Sequence, residues 1–286
     1  MKSFLAKLAI RKVIGVYVGE QEIAISKVAA TPLGPIEIAS CRQAYAPDQL
    51  DTALRGLLVP LLGQRRNCRI PVMLGLSGKH VFFSSRPIKI ADSDASPQVL
   101  LHEVLQSSGI SVDEMVLDMV KLQPGVRPVA SIVACRRKYL AGLLTGLQGC
   151  GVSPFRTEPA PCALLRLARV RHQAPRRART ALRIFLGESQ GLAVLAVANA
   201  PFVWRYFDLP RGDEALAIIS TVRIIQTLGK PCGIESTVNV VMIHGRAELR
   251  GLVGLEELEQ QAGVHVSWFE EPKLNDSSVA FGLAVW

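Results

Sequence analysis

Val16-Tyr17-Val18-Gly19-Glu20-Gln21-Glu22-Ile23-Ala24-Ile25 decides the fold of this chain. Ile184-Phe185-Leu186-Gly187-Glu188-Ser189-Gln190-Gly191-Leu192-Ala193-Val194 repeats it about 170 residues later. Each copy reads as an apolar strand, a Gly-Glu turn and a second apolar strand. A repeat at half-chain distance predicts two similar domains whose turns line a common cleft. In such a cleft glycine lets backbone N–H groups close on a phosphate, and a neighbouring acid holds a metal ion. Here the strand before each turn carries an aromatic residue, Tyr17 or Phe185, where that acid is needed.

Composition agrees with two domains. The chain has 286 residues, 49% of them hydrophobic, enough for two cores. The longest uncharged runs, 139–155 and 189–204, contain Gly, Gln, Asn or Pro and divide into helix, turn and strand rather than a membrane span. Lys2 and Lys7 flank only a few apolar residues, so no signal peptide is expected. Six cysteines, at 41, 68, 135, 150, 162 and 232, form no CxxC pair, and the five histidines show no metal spacing. Reduced, mostly buried thiols in a cytoplasmic protein are the expectation.

The net charge of +9 is local. Arg166, Arg169, Arg171, Arg176, Arg177, Arg179 and Arg183 have no acid among them; without these seven the balance is +2. Removing Lys2, Lys7, Arg11 and Lys12 as well leaves −2, so a nearly neutral body carries two basic patches. Neither patch interleaves aromatic residues for base stacking, which argues against nucleic acid. Anionic lipid headgroups or an acidic protein segment need only localised cations, and so does a solvated linker around Gln173-Ala174-Pro175.

Strands are expected at 13–18, 22–28 and 36–44, a helix over Leu50, Leu54, Leu57 and Leu58, and a buried strand at 69–76. That order is then interrupted by a strand at 80–88, a helix at 96–106 and strands at 115–122 and 128–135. Core order resumes with a helix at 136–147, a strand at 152–157 and a helix from about Pro161. The second half repeats the programme: strands at 181–185, 192–198 and 202–209, a helix at 213–228 and a strand at 238–243. A helix at 247–261, a strand at 264–268 and a last helix near Asp276 or Ser277 follow. The fold class is α/β: two ribonuclease-H-like domains, 1–177 and 178–286, with an inserted strand-helix-strand-strand subdomain at 79–136. Phe202, Trp204 and Tyr206 share one strand face and read as sheet packing.

These features resemble the PilM family of type IV pilus assembly proteins, cytoplasmic actin-like (FtsA-like) ATPase-fold proteins. Ile14-Gly15-Val16-Tyr17-Val18-Gly19 resembles the family's opening Ile-Gly-Ile-Asp-Ile-Gly, and the insertion is similar to its subdomain 1C. Glu158-Pro159-Ala160-Pro161-Cys162-Ala163-Leu164-Leu165-Arg166 resembles its Glu-Pro-x-Ala-Leu-x-Arg segment. The stretch from Ile243-His244-Gly245-Arg246-Ala247 resembles its adenosine loop, and Val279-Ala280-Phe281-Gly282-Leu283-Ala284 its closing Ala-Tyr-Gly-Leu-Ala.

The departures point away from catalysis. Tyr17 and Phe185 replace the family's two aspartates, and His244-Gly245 replaces its paired glycines, narrowing the space for a purine. Only one helix fits between 211 and 239, so subdomain 2B is reduced or lacking, as in the similar cytoplasmic portion of GspL, the type II secretion relative. The resemblance thus implies a degenerate nucleotide cleft comprising Tyr17, Gly19, Glu20, Glu158, Phe185, Gly187, Glu188, His244 and Gly245, with no metal and no cofactor. Glu20 and Glu188 either reach further to replace the missing acids or are solvated turn carboxylates. Glu158 matches an acid that positions metal-bound water in active relatives, but alone it cannot hold Mg²⁺.

The expected function is that of a non-catalytic scaffold of a type IV pilus or type II secretion inner-membrane platform, cytoplasmic and peripheral to that membrane. The partner implied is the cytoplasmic tail of a bitopic PilN-like protein, held in a groove between the first domain and the insertion. The alternative is an actin-like ATPase that binds Mg-ATP and hydrolyses it slowly.

Overall fold

The structure is a computed structural model and describes residues 11–20, 22–32, 34–62, 70–87, 99, 102, 111–122, 129–172, 180–187, 189–197, 200–230, 240–270 and 276–285. In chain order come β1 (Lys12–Val18), β2 (Glu22–Thr31), β3 (Gly34–Ala44), α1 (Leu50–Leu62), β4 (Val72–Leu76), β5 (Val81–Pro87), β6 (Met115–Leu122) and β7 (Val129–Arg136). Then follow α2 (Arg137–Gly149), β8 (Arg156–Pro159), α3 (Ala160–His172), β9 (Thr180–Leu186), β10 (Gln190–Val197) and β11 (Ala200–Asp208). The chain closes with α4 (Glu214–Gly229), β12 (Val240–Gly245), α5 (Ala247–Val253), α6 (Leu255–Ala262), β13 (His265–Glu270) and α7 (Asp276–Ala284). The helix expected at 96–106 lies, apart from two residues, outside the described residues.

Two compact units emerge: Met1–Ser77 with Leu140–Gln173 and Asn275–Trp286, and Gly78–Tyr139 with Ala174–Leu274. The first is built on a five-stranded sheet of order β3-β2-β1-β4-β8. β1 runs antiparallel to β2 and parallel to β4, which runs parallel to β8. β4 is buried at every position, as expected of a strand covered on both faces. α7 lies across β1, β2 and β4 and against α3. Gly15 makes that approach possible: a Cβ there would sit 2.0 Å from the Ala280 carbonyl oxygen of α7.

The second unit repeats the order as β11-β10-β9-β12-β13 and adds a three-stranded sheet, β5-β7-β6. Its core joins Leu182, Ile184 and Leu186 of β9 to Ala193, Leu195 and Val197 of β10 and to Ile218, Val222 and Ile225 of α4. The helix expected at 247–261 is two helices. Gly254 separates α5 from α6 at φ 56°, a left-handed conformation that interrupts the ladder. The strand expected at 152–157 is displaced to Arg156–Pro159.

The insertion groups with the second unit, not with the domain expected at 1–177. Buried Val129 of β7 belongs to the same core as Leu182 and Phe202. Phe83 of β5 stacks on Trp204 of β11 at 3.8 Å between ring centroids. The Ser85 hydroxyl donates to the Phe202 carbonyl oxygen at 2.5 Å, leaving Ser131 to donate to Ser85 at 2.9 Å. Helix α7, expected in the second domain, groups with the first unit for a similar reason, its packing on β1, β2 and α3. Sequence order cannot reveal either grouping, because both depend on faces that chain-distant elements present.

Candidate functional site

The two repeated turns are closed by corresponding hydrogen bonds. Gly19 donates its N–H to the Glu22 carbonyl at 2.9 Å, and Gly187 donates to Gln190 at 2.9 Å, so each hairpin uses its own glycine amide to close. In the first turn the Tyr45 hydroxyl also donates to the Gly19 carbonyl at 2.7 Å. Glu20 is exposed; Glu188 lies outside the described residues.

Both aromatic replacements point inward. Tyr17 is 7% exposed and pairs in register with Gly75 of β4. A Cβ on Gly75 would lie 3.1 Å from the Tyr17 ring and 2.6 Å from Leu283, so the missing side chain makes room for ring and helix together. Phe185 is 2% exposed and stacks on His244 at 4.8 Å; His244 stacks in turn on Phe269 at 5.1 Å. The register sets this ladder, because His244 of β12 stands opposite Phe185 of β9 and Phe269 of β13. Gly245 is packed against the Trp268 ring, which a Cβ would approach to 3.1 Å.

Arg183 does not belong to a surface patch. It is 3% exposed, and its guanidinium lies 3.0 Å from His244 Nε2. Arginine only donates, so Nε2 accepts and the His244 ring proton sits on Nδ1. Burial lowers the Arg183 pKa below its ordinary value. Arg166 is likewise withdrawn. It forms a bidentate pair with Glu158, both contacts at 2.7 Å, and donates to the Gly282 carbonyl at 2.9 Å. Glu158 is 8% exposed, and its two oxygens meet that guanidinium fork. Arg169 and Arg171 remain exposed, Arg171 lying 5.2 Å from the Phe281 ring centroid. Arg11 and Lys12 are exposed at the start of β1. Lys2, Lys7, Arg176, Arg177 and Arg179 lie outside the described residues.

No protein-family model matches the chain, and no curated protein sequence does. Among solved structures it is similar to a PilM–PilN type IV pilus biogenesis complex, with TM-score 0.65 and 19% identity over 95% of this chain and 97% of that one. It is also similar to the cytoplasmic domain of EpsL, an inner-membrane component of the Vibrio cholerae type II secretion system. There the TM-score is 0.59 and the identity 14%, covering 96% of this chain and 94% of the other. A Bacteroides thetaiotaomicron protein of unknown function with an actin-like ATPase fold gives TM-score 0.54 at 8% identity, with 97% of each chain covered. The chain has the actin-like ATPase fold.

Within that actin-like frame, the structure reveals two arrangements that the sequence reading missed. One is the Glu158–Arg166 pair, whose only linear signal is an acid at the end of a strand and a cation on the helix that follows. The other is the Phe185–His244–Phe269 ladder, which needs the strand order β9-β12-β13 before its members become neighbours. Among the described residues no three His, Cys, Asp or Glu side chains are grouped to hold a metal. Cys162 lies beside Glu158 on the actin-like frame. Burial, reinforced by that carboxylate, raises its thiol pKa to about 12 against the opposing pull of Arg166 and Arg156. In the native protein at neutral pH, Cys162 is expected to alkylate at least about tenfold more slowly than in urea. Mass spectrometry after iodoacetamide treatment measures this; equal rates in the two states contradict it.

Proposed function

We propose that the chain is a non-catalytic scaffold of a type IV pilus or type II secretion assembly platform. It works at the cytoplasmic face of the inner membrane and binds the cytoplasmic tail of a PilN-like membrane protein. Likeness to the PilM–PilN complex over 95% of the chain supports the partner class. The observation that carries the non-catalytic reading is the state of Glu158, whose two oxygens are held by Arg166 where an active site needs them turned to metal-bound water. Buried Tyr17 and Phe185 offer no carboxylate beside the turns, and phosphoryl transfer rests almost wholly on such placed charge. Exposed Arg11 and Lys12 support a further, weaker attraction to anionic membrane surface. Among the described residues no helix is long and apolar enough to cross a membrane.

Copurification with a bitopic membrane protein is the expected result when the tagged chain is drawn from membranes solubilised in mild detergent. Recovery without any such protein counts against the scaffold. Titration calorimetry with Mg-ATP is expected to give no heat of binding. A dissociation constant at or below about 10 μM, roughly −7 kcal/mol, supports the alternative, an ATPase that retains the two glycine hairpins.

A further inference from the structure

The first unit contains a cavity of about 310 Å³ at the end of its sheet remote from the Gly19 turn. Its origin is geometric. α7 presses on β1 at Gly15 and on β4 at Gly75, through Ala280 and Leu283, and then ends at Ala284. The sheet continues past that point, and Val13, Val28, Ala30 and Met73 line the space left under the end of the helix. Phe155, 63% exposed, stands at its edge.

Among the described residues, several backbone and hydroxyl groups around the cavity are already engaged. Ala30 donates its N–H to the Arg11 carbonyl at 2.9 Å, and the Pro71 carbonyl accepts from Ile14 at 3.0 Å. The Thr31 hydroxyl donates to the Gly34 carbonyl at 2.6 Å. Phe155 spends its N–H on Val72 at 2.7 Å. A peptide backbone entering here would therefore find few free partners for its own donors and acceptors, which disfavours it. Hydrocarbon incurs no such cost. Among the described residues Arg11 is the only charged one lining the cavity. The cavity thus offers apolar burial and one cation at its edge, in a volume at the lower end of ligand-sized pockets.

We propose that this cavity binds a single-chain anionic amphiphile, an alkyl carboxylate or alkyl phosphate, with the chain against Val13, Val28 and Met73 and the headgroup on Arg11. The site is independent of the scaffold reading. A free fatty acid and a lipid that lends one chain from a bilayer share this chemistry.

The test is displacement of a dansyl-labelled fatty acid from the intact protein. Saturable one-to-one binding is expected, with displacement by decanoate or decyl phosphate at about tenfold lower concentration than by decanol, since only the acids engage the guanidinium. Ala30 is exposed to the cavity, so Ala30→Phe fills it from its accessible side and is expected to weaken decanoate at least about tenfold. Arg11→Gln, at an exposed position, is expected to weaken decanoate and leave decanol unchanged. Circular dichroism checks that both variants fold, and if Ala30→Phe does not, Arg11→Gln decides alone. No saturable binding, or binding that the folded variants leave unchanged, overturns the proposal. Binding to phosphatidylglycerol vesicles without displacement by decanoate also overturns it, by assigning the attraction to surface cations. Vesicle binding that decanoate inhibits identifies the bilayer as the source, and decanoate binding without vesicle binding identifies the free acid.

Discussion

Arg166→Ala is expected to lower the unfolding free energy by about 3–5 kcal/mol, the cost of leaving one member of a buried ion pair alone. The loss has two parts. Glu158, 8% exposed, keeps a carboxylate with no guanidinium to meet it, and the Gly282 carbonyl of α7 loses its donor. Replacing both partners together, Glu158→Leu with Arg166→Met, is expected to cost less than Arg166→Ala alone, because no stranded charge remains. Urea denaturation followed by circular dichroism measures all the variants. A loss below about 1 kcal/mol for Arg166→Ala, the range of an exposed pair, means that the contact is solvated and Glu158 is free for other work.

Deleting 79–136 is expected to destabilise the second unit measurably instead of releasing a separable module. Core order that resumes after the inserted subdomain at 79–136 implies, by sequence alone, a segment that can be taken out. The structure ties it to β11 and to the core. Removing it strips Val129 from that core, about 1.5–3 kcal/mol. The Phe83–Trp204 stack adds about 0.5–1.5 kcal/mol. The sum of about 2–4.5 kcal/mol is a substantial part of ordinary domain stability. A deletion protein with an unchanged urea midpoint contradicts this.

Partner binding is therefore better probed at an exposed position of the insertion. Val120 of β6 is 49% exposed. Val120→Asp is expected to cost about 1 kcal/mol or less, the span of strand propensity. The same change is expected to weaken binding of the copurified partner's tail peptide by at least about tenfold. Wild-type affinity for that peptide places the interface elsewhere.

Much of the fold was legible because periodicity is a local property. The Gly-Glu repeat, the alternation of apolar positions and the interruption after β4 each lie in one short window. They suffice to place the strands of two sheets of like order. Aromatic residues at 17 and 185 are likewise plain in the sequence, and with them the absence of an acid at those two places. The break at Gly254 was not, because a glycine inside an amphipathic run is tolerated until its φ becomes positive.

What only the tertiary structure decided is which distant groups meet. A run of seven arginines reads as one basic patch, yet Arg183 turns into the second unit beside His244 and Arg166 turns onto Glu158. Charge in a sequence counts cations, whereas burial and hydrogen bonding depend on the face of the strand or helix each one occupies. The insertion's attachment to β11, the ladder through His244 and the cavity past the end of α7 have the same character. Each arises where elements far apart in the chain are brought within contact distance, and there packing takes over from local preference.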